Sequence, residues 1–370
     1  MSLVESNSFN LYSQSNHSSN SLLSFEEDSS FINPNYLNDI STQIINNSNF
    51  VNQNPFKDNP MSLLNYLDSI KNQKNNLKSL IDQKYSFLEN YFVKNFFSHN
   101  INQSQKKLFV ELNSNIGYNT IFFIFLFLKF NNSSLFNNFY FITIEPNDYY
   151  FKLSQSLINL VYPLQDLPKN FIFLNHSSIY DSLSYLLNTL KFSNINLLYL
   201  NNEYSNLDLI NFESNCYNND NNIFAPNFPD NDLNPITNTN SISNSSLSLN
   251  SFKIVESLGL INKNSVIISD NIFNFQLSDY INYMDLIPSN KFQLNNYLLS
   301  NLNNNLSNSN NKKLIRKFNK KKWIYLGKWN LQYSNQMVKF VNNNINLNYD
   351  YQNNIQVDGL LLSVCSNALI

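Results

Sequence analysis

The sequence predicts an α/β fold, a parallel sheet covered by helices on both faces. Three observations carry that expectation. Short, almost continuous apolar runs of strand length recur along the chain. Amphipathic stretches of helical length alternate with them. Hydrophobic residues make up 42% of 370 residues, with 31 Phe and 22 Tyr, enough for one large core or two modest ones. In order, Lys107–Leu112 (KLFVEL) reads as a buried strand and Asn119–Phe130 as the helix after it. Phe139–Ile144 (FYFITI) is a second strand, followed by the amphipathic helix Asp148–Val161. Phe171–Leu174, Asn196–Leu200 and Val266–Ser269 are further short strands, and Asp181–Leu190 and Ser251–Leu258 fit the helices between them. The most hydrophobic run, Ile121–Phe130, is ten residues long and contains Lys129. A membrane span needs about 20 apolar residues, so a buried helix and a soluble, cytoplasmic protein are expected.

The chain carries 24 Lys+Arg against 26 Asp+Glu, a net charge of −2, which argues against a dedicated nucleic-acid binder. Two cysteines exclude a disulfide scaffold and a four-thiolate metal site. His17, His99 and His176 are too scattered for a zinc site. Asn and Ser are abundant, Arg316 is the sole Arg, and Ala occurs only at Ala225 and Ala368, a pattern of AT-rich codon bias. The four glycines, Gly117, Gly259, Gly327 and Gly359, are therefore expected where a Cβ does not fit. Residues 1–56 lack Lys and Arg, carry Glu5, Glu26, Glu27 and Asp28, and read as a Ser/Asn-rich disordered tail. They match neither a mitochondrial presequence nor a secretory signal. The remaining 57–370 read as one domain, with low-complexity surface insertions at about 211–250 and 301–311.

In such sheets ligands bind beyond the carboxyl ends of the strands. After the first strand comes Glu111-Leu-Asn-Ser-Asn-Ile-Gly117-Tyr118-Asn119-Thr120, an acid, a loop with one Gly and a helix start. After the second comes Glu145, which can bind both hydroxyls of a ribose because a carboxylate offers two acceptor oxygens. After the fourth comes Asn201-Asn202-Glu203-Tyr204, and after the fifth Asp270-Asn271. Asp270-Asn271 with a third oxygen ligand is a magnesium-type arrangement; a helix cap or turn explains the dipeptide equally simply. Glu145 read alone is equally a solvated strand-end acid.

These residues resemble the catechol O-methyltransferase family and its fungal relatives, from about Asn59 to Cys365. Asn59-Pro60 through Asp68 is similar to that family's early helix, and Leu80-Ile-Asp-Gln-Lys84 falls where it has a segment over the cofactor. Phe109–Leu112 with Gly117-Tyr118 resembles its E-L-G-x-x-x-G-Y motif, and Ile142–Glu145 its strand ending in an acid. Val255–Asn271 resembles L-E-x-x-G-L-L-R-K-G-T-V-x-x-A-D-N in order and spacing. Val357–Cys365 is similar to the last strand, D-G-(L/M)-E-V-x-x-C. The resemblance implies a Rossmann-like class I methyltransferase fold, a seven-stranded mostly parallel sheet with an antiparallel last strand. It implies S-adenosylmethionine as cofactor and methyl transfer to an aromatic hydroxyl assisted by Mg2+. By position, Leu80, Glu111, Gly117, Tyr118, Asn119, Glu145, Ser178 and Asn201 would bind the cofactor, and Asn201, Asp270 and Asn271 the metal. The substrate would be a small aromatic diol, with no nucleic-acid or membrane partner and a monomeric chain.

Four positions depart from the family. Asn201 replaces a metal carboxylate, with Glu203 as its possible substitute, and Tyr204 replaces the catalytic Lys. A Tyr of ordinary pKa about 10 is a weak base at neutral pH. The substrate-side Glu falls at Gln352 or Asp350, and Asn113 replaces a Gly beside the methionine moiety. A second reading is therefore a methyltransferase-fold protein kept for binding or scaffolding. The basic run from Lys312 to Lys322 before Trp323 reads as a solvated charged helix, or as a nucleic-acid contact. Cys216 falls in the insertion and Cys365 in the core; Trp323 and Trp329 are core or lid residues, or an aromatic wall.

Overall fold

A computed structural model describes residues 56–71, 78–96, 106–130, 138–202, 247–273, 277–307, 326–341 and 357–368. The expected tail, the body of the first insertion with Cys216, Glu203, Tyr204, the basic run with Trp323, and Asp350 and Gln352 all lie outside the described residues. The chain runs α1 (Pro60–Lys71), α2 (Lys78–Asn95), β1 (Lys107–Leu112), α3 (Tyr118–Lys129), β2 (Phe139–Ile144), α4 (Asp148–Val161), β3 (Phe171–Leu174), α5 (Ile179–Asn188) and β4 (Leu197–Leu200). It continues with α6 (Leu247–Ser257), β5 (Val266–Ser269), α7 (Ser278–Asp285), α8 (Pro288–Ser307), β6 (Leu331–Val341) and β7 (Val357–Ala368). Among the described residues no helix is long and apolar enough to cross a membrane.

The strands form one seven-stranded sheet in the order β3-β2-β1-β4-β5-β7-β6. The pairs β1–β2, β1–β4, β2–β3 and β4–β5 are parallel, while β7 runs antiparallel to both β5 and β6. This is the Rossmann-like mixed sheet expected. The strand order reverses between β1 and β4, the crevice where such sheets bind ligands.

Alternation along the strands sorts the core. On β1, Phe109 faces a layer with Leu88, Phe92, Phe123 and Leu157, while Leu108, Val110 and Leu112 face a layer with Leu183, Phe252 and Val255. Both strand faces are apolar because helices cover both. Helix α3 is apolar nearly all round and buries Ile121, Phe122, Phe123, Ile124, Leu126 and Phe127, each at 2% exposure or less. Phe123 meets Phe109 edge-on at 4.8 Å and Tyr199 at 4.8 Å between ring centroids.

Two differences from the sequence reading have simple causes. Helix α8 continues through Ser307 into the supposed second insertion, where Leu298, Leu302 and Leu306 keep helical spacing inside an Asn-rich composition. Strand β6 was not anticipated as an element, because LQYSNQMVKFV is an edge strand with a polar, largely exposed face. Of the glycines, Gly117 is pinned by space, since a Cβ would lie 2.7 Å from Ser154 Cβ. At Gly259 a Cβ would meet nothing within 4 Å, and the left-handed φ of 73° is what favours glycine there.

Candidate functional site

The period-two rule puts one row of side chains at the carboxyl edge. On β1, Glu111 follows Phe109; on β2, Thr143 and the next strand-end residue of that parity, Glu145, follow Phe141. On β4, Tyr199 follows Leu197; beyond β5, Asp270 follows Ile268; and on antiparallel β7, Asp358 precedes Leu360. All share the face covered by α2 and α3. Glu111, Glu145 and Asp270 are buried, at 0%, 1% and 0% exposure. The expected strand-end acids thus share one edge and one face.

Between β1 and α3 the loop takes a left-handed backbone at alternate residues: Asn113 (φ 60°), Asn115 (φ 53°) and Gly117 (φ 83°). Asn is the non-glycine residue that enters this region most readily. Asn113 and Asn115 therefore hold the path that glycines would otherwise hold. The Asn113 N–H donates to the Ile144 carbonyl at 2.9 Å, tying the loop to β2. Its side chain is 1% exposed, and among the described residues neither its Oδ1 nor its Nδ2 has a hydrogen-bond partner. Asn119, also 1% exposed, accepts from the Tyr85 hydroxyl at 3.2 Å, while its Nδ2 has no partner among the described residues. Buried amides without partners are costly unless something else satisfies them. Thr120 donates to Glu111 Oε2 at 2.7 Å, fixing that carboxylate at the start of α3. Tyr118 stacks near Tyr85 at 5.8 Å.

Glu145 accepts from the Asn115 N–H at 2.6 Å through Oε2 and from the Asn147 N–H at 2.9 Å through Oε1. It thereby clasps the loop after β1 to the start of α4. Ser178 caps α5: its Oγ accepts from the Asp181 N–H at 3.1 Å and donates to Asp181 Oδ2 at 2.6 Å. Its hydroxyl is thus engaged in the helix cap. Leu80 lies in α2, in the helix that covers this face.

The expected metal positions are built differently. Asp270 Oδ1 and Oδ2 lie 3.2 and 3.1 Å from Lys84 Nζ. Tyr199 donates its hydroxyl to Oδ2 at 2.6 Å, and the Asn271 N–H donates to Oδ1 at 2.8 Å. Lys84, 4% exposed on α2, also reaches Asp358 Oδ2 at 3.3 Å. Asn271 holds a left-handed φ of 52°, and the buried Asn201 joins the sheet through its N–H to the Leu112 carbonyl at 3.2 Å. Asn202 bridges Ser269 Oγ at 2.8 Å and the Asp270 carbonyl, and accepts from Ser248. A magnesium ion needs carboxylate oxygens in direct contact, and here those oxygens face an ammonium and a hydroxyl proton. The residues therefore do not fit a divalent cation. Among the described residues no group of three or more His, Cys, Asp or Glu is placed to hold a metal ion. Lys84, Tyr199 and Asp358 are the site residues that sequence reasoning missed. Lys84 and Asp358 lie inside the matched segments, but Lys84 meets Asp270 only across 186 residues of chain.

The opposite, amino edge carries a second charged cluster. Glu256 on α6 accepts from the hydroxyls of Tyr283 and Tyr333, from the Lys328 N–H at 3.0 Å, and from Lys291 Nζ at 3.4 Å. Gly327 leaves this carboxylate room, since a Cβ there would lie 2.5 Å from Glu256 Oε2. Lys291 sits over the Tyr283 and Tyr333 rings at 4.2 and 4.5 Å. Trp329 is exposed beside Phe292 at this edge, 5.4 Å between centroids, and forms no wall to the strand-end site. Burial lowers the Lys253 ammonium to about 8, opposed by Glu256 and Asp279 and reinforced by Lys291. Between about 8 and the ordinary 10.5, the unfolded chain holds a proton that folded Lys253 has released. Stability is therefore expected to rise with pH across that window. Tyr283 and Tyr333, raised by burial first and Glu256 second, reverse the trend above their ordinary value of 10.0. Urea midpoints measured across this range check the rise, and Lys253→Met should flatten it.

No protein-family model matches the sequence, and no curated protein matches it. Solved structures with an overlapping fold include an O-methyltransferase from Bacillus cereus in complex with SAH, at 12% identity, covering 77% of this chain and 81% of that one, with a TM-score of 0.35. A putative O-methyltransferase from Klebsiella pneumoniae overlaps 78% of this chain and 100% of its own at 10% identity and a TM-score of 0.29. A Methanococcus jannaschii fibrillarin pre-rRNA processing protein overlaps 72% and 70% at 5% identity and a TM-score of 0.29. At these scores the likenesses carry no inference for this chain, whose fold rests on its own strand order.

Proposed function

We propose that this chain binds S-adenosylmethionine at the carboxyl edge of its sheet and transfers the methyl group to a hydroxyl oxygen. The observation that carries the reading is the row Glu111, Glu145, Tyr199 and Asp270 on one face beside the strand-order reversal, with the left-handed Asn113–Gly117 loop opening α3. Bound there, the cofactor supplies a sulfonium methyl that an acceptor oxygen displaces in line. Glu145 would accept from the ribose hydroxyls, held in place by the Asn115 and Asn147 N–H groups. The Asn113 amide and the Asn119 Nδ2, which have no hydrogen-bond partner among the described residues, would satisfy the charged amino-acid end. Support for a catechol-type acceptor comes from the sequence resemblance alone, and magnesium assistance has no support in the arrangement around Asp270.

A second reading, cofactor binding without turnover, draws on Asn201, which offers no carboxylate at the fourth strand end. Titration calorimetry with S-adenosylmethionine, paired with transfer of a labelled methyl group to simple phenols and catechols, separates the two. Micromolar binding with transfer is expected. Binding without transfer to any hydroxyl acceptor favours the second reading, and no binding removes both.

A further inference from the structure

We propose that Lys84 is the resident cation of this site, so that the strand-end carboxylates take an ammonium from α2 where the sequence motif leads one to expect a divalent metal. The argument begins with placement. Helix α2 packs on the sheet face through Tyr85, Leu88 and Phe92, which fixes Lys84 over the ends of β5 and β7. Antiparallel β7 begins at the edge where parallel β5 ends, so Asp358 and Asp270 arrive together. Lys84 Nζ stands 3.1–3.3 Å from oxygens of both.

The charges then close. Among the described residues, two carboxylates and one ammonium leave about one negative unit, whereas a dication added beside the ammonium would face like-charge repulsion at contact distance. Lys84 is nearly fully buried, and removing a buried partner leaves the other charge uncompensated. The Tyr199 hydroxyl and the Asn271 N–H occupy further acceptor positions on Asp270. A metal would have to displace both the ammonium and these donors. The site therefore keeps positive charge at the strand ends without a metal.

The inference concerns metal selectivity and stands or falls apart from cofactor binding. The test is manganese binding to the full chain, read as loss of the free Mn2+ electron-paramagnetic-resonance signal, with no cofactor present. Wild type is expected to leave the signal unchanged at millimolar Mn2+. Lys84→Met, checked for native circular dichroism, is expected to bind one Mn2+ at least tenfold more tightly, through the vacated Asp270 and Asp358 oxygens, and Lys84→Met/Asp270→Asn to lose it. Should Lys84→Met fail to fold, Lys84→Gln, which keeps a hydrogen-bond donor, replaces it. Stoichiometric Mn2+ binding by wild type that Asp270→Asn abolishes overturns the proposal. So does a folded Lys84 variant that gains no affinity.

Discussion

Glu256→Ala is expected to destabilise the fold by about 3–5 kcal/mol, the usual cost of breaking a buried ion pair. Glu256 is 0% exposed and holds two tyrosine hydroxyls, a backbone N–H and the Lys291 ammonium, itself 0% exposed. Truncation strands all four donors. The surrounding layer packs Phe252 edge-on to Tyr280, Tyr283 and Tyr333. Since domains are stable by only about 5–15 kcal/mol, a large drop in the urea midpoint should follow. Glu256→Gln keeps one acceptor oxygen and should fall between. The cluster lies at the amino edge, so variants that remain folded should bind S-adenosylmethionine as wild type does; a selective loss of binding at unchanged stability would contradict its purely structural role.

Glu145→Gln is expected to weaken S-adenosylmethionine binding by about ten- to a hundredfold, a loss of about 1.4–2.8 kcal/mol. Hydrogen bonds to a charged acceptor are worth about 1.5–3 kcal/mol each. The amide keeps one acceptor and turns the other into a donor facing a backbone N–H, from Asn115 or Asn147. The substitution therefore strikes twice: it removes an acceptor for the ribose and loosens the loop that carries Asn113. Calorimetry of the cofactor, alongside a thermal melt, separates the effects. A melting loss with unchanged affinity would reduce Glu145 to a loop clasp.

The parallel strands were legible because each is a nearly unbroken apolar run, as both of its faces are covered. Edge strand β6 was not, because Gln332, Ser334 and Gln336 on one face and Lys339 on the other interrupt its apolar pattern. The strand-end acids were legible from position alone: Glu111, Glu145 and Asp270 each follow an apolar run. Their partners were not. Nothing local in the sequence says that Lys84, on the second helix, meets Asp270 and Asp358, since that contact exists only once α2 lies on the sheet and β7 runs backwards. Asn113 stands where the resemblance has a Gly, and its φ of 60° keeps the left-handed turn that a Gly would hold. In a chain poor in glycine, asparagine carries much of the left-handed backbone, at Asn113, Asn115, Asn264 and Asn271.

The central claim is that an adenosyl sulfonium docks against the loop between β1 and α3 and against Glu145. Ultraviolet cross-linking with methyl-labelled S-adenosylmethionine, followed by peptide mapping of the full chain, tests it most directly. Label confined to peptides spanning 111–120 and 143–150, and competed by S-adenosylhomocysteine, is the predicted result. Label absent at saturating cofactor, or placed on the amino-edge peptides around Glu256 and Tyr333, would contradict it.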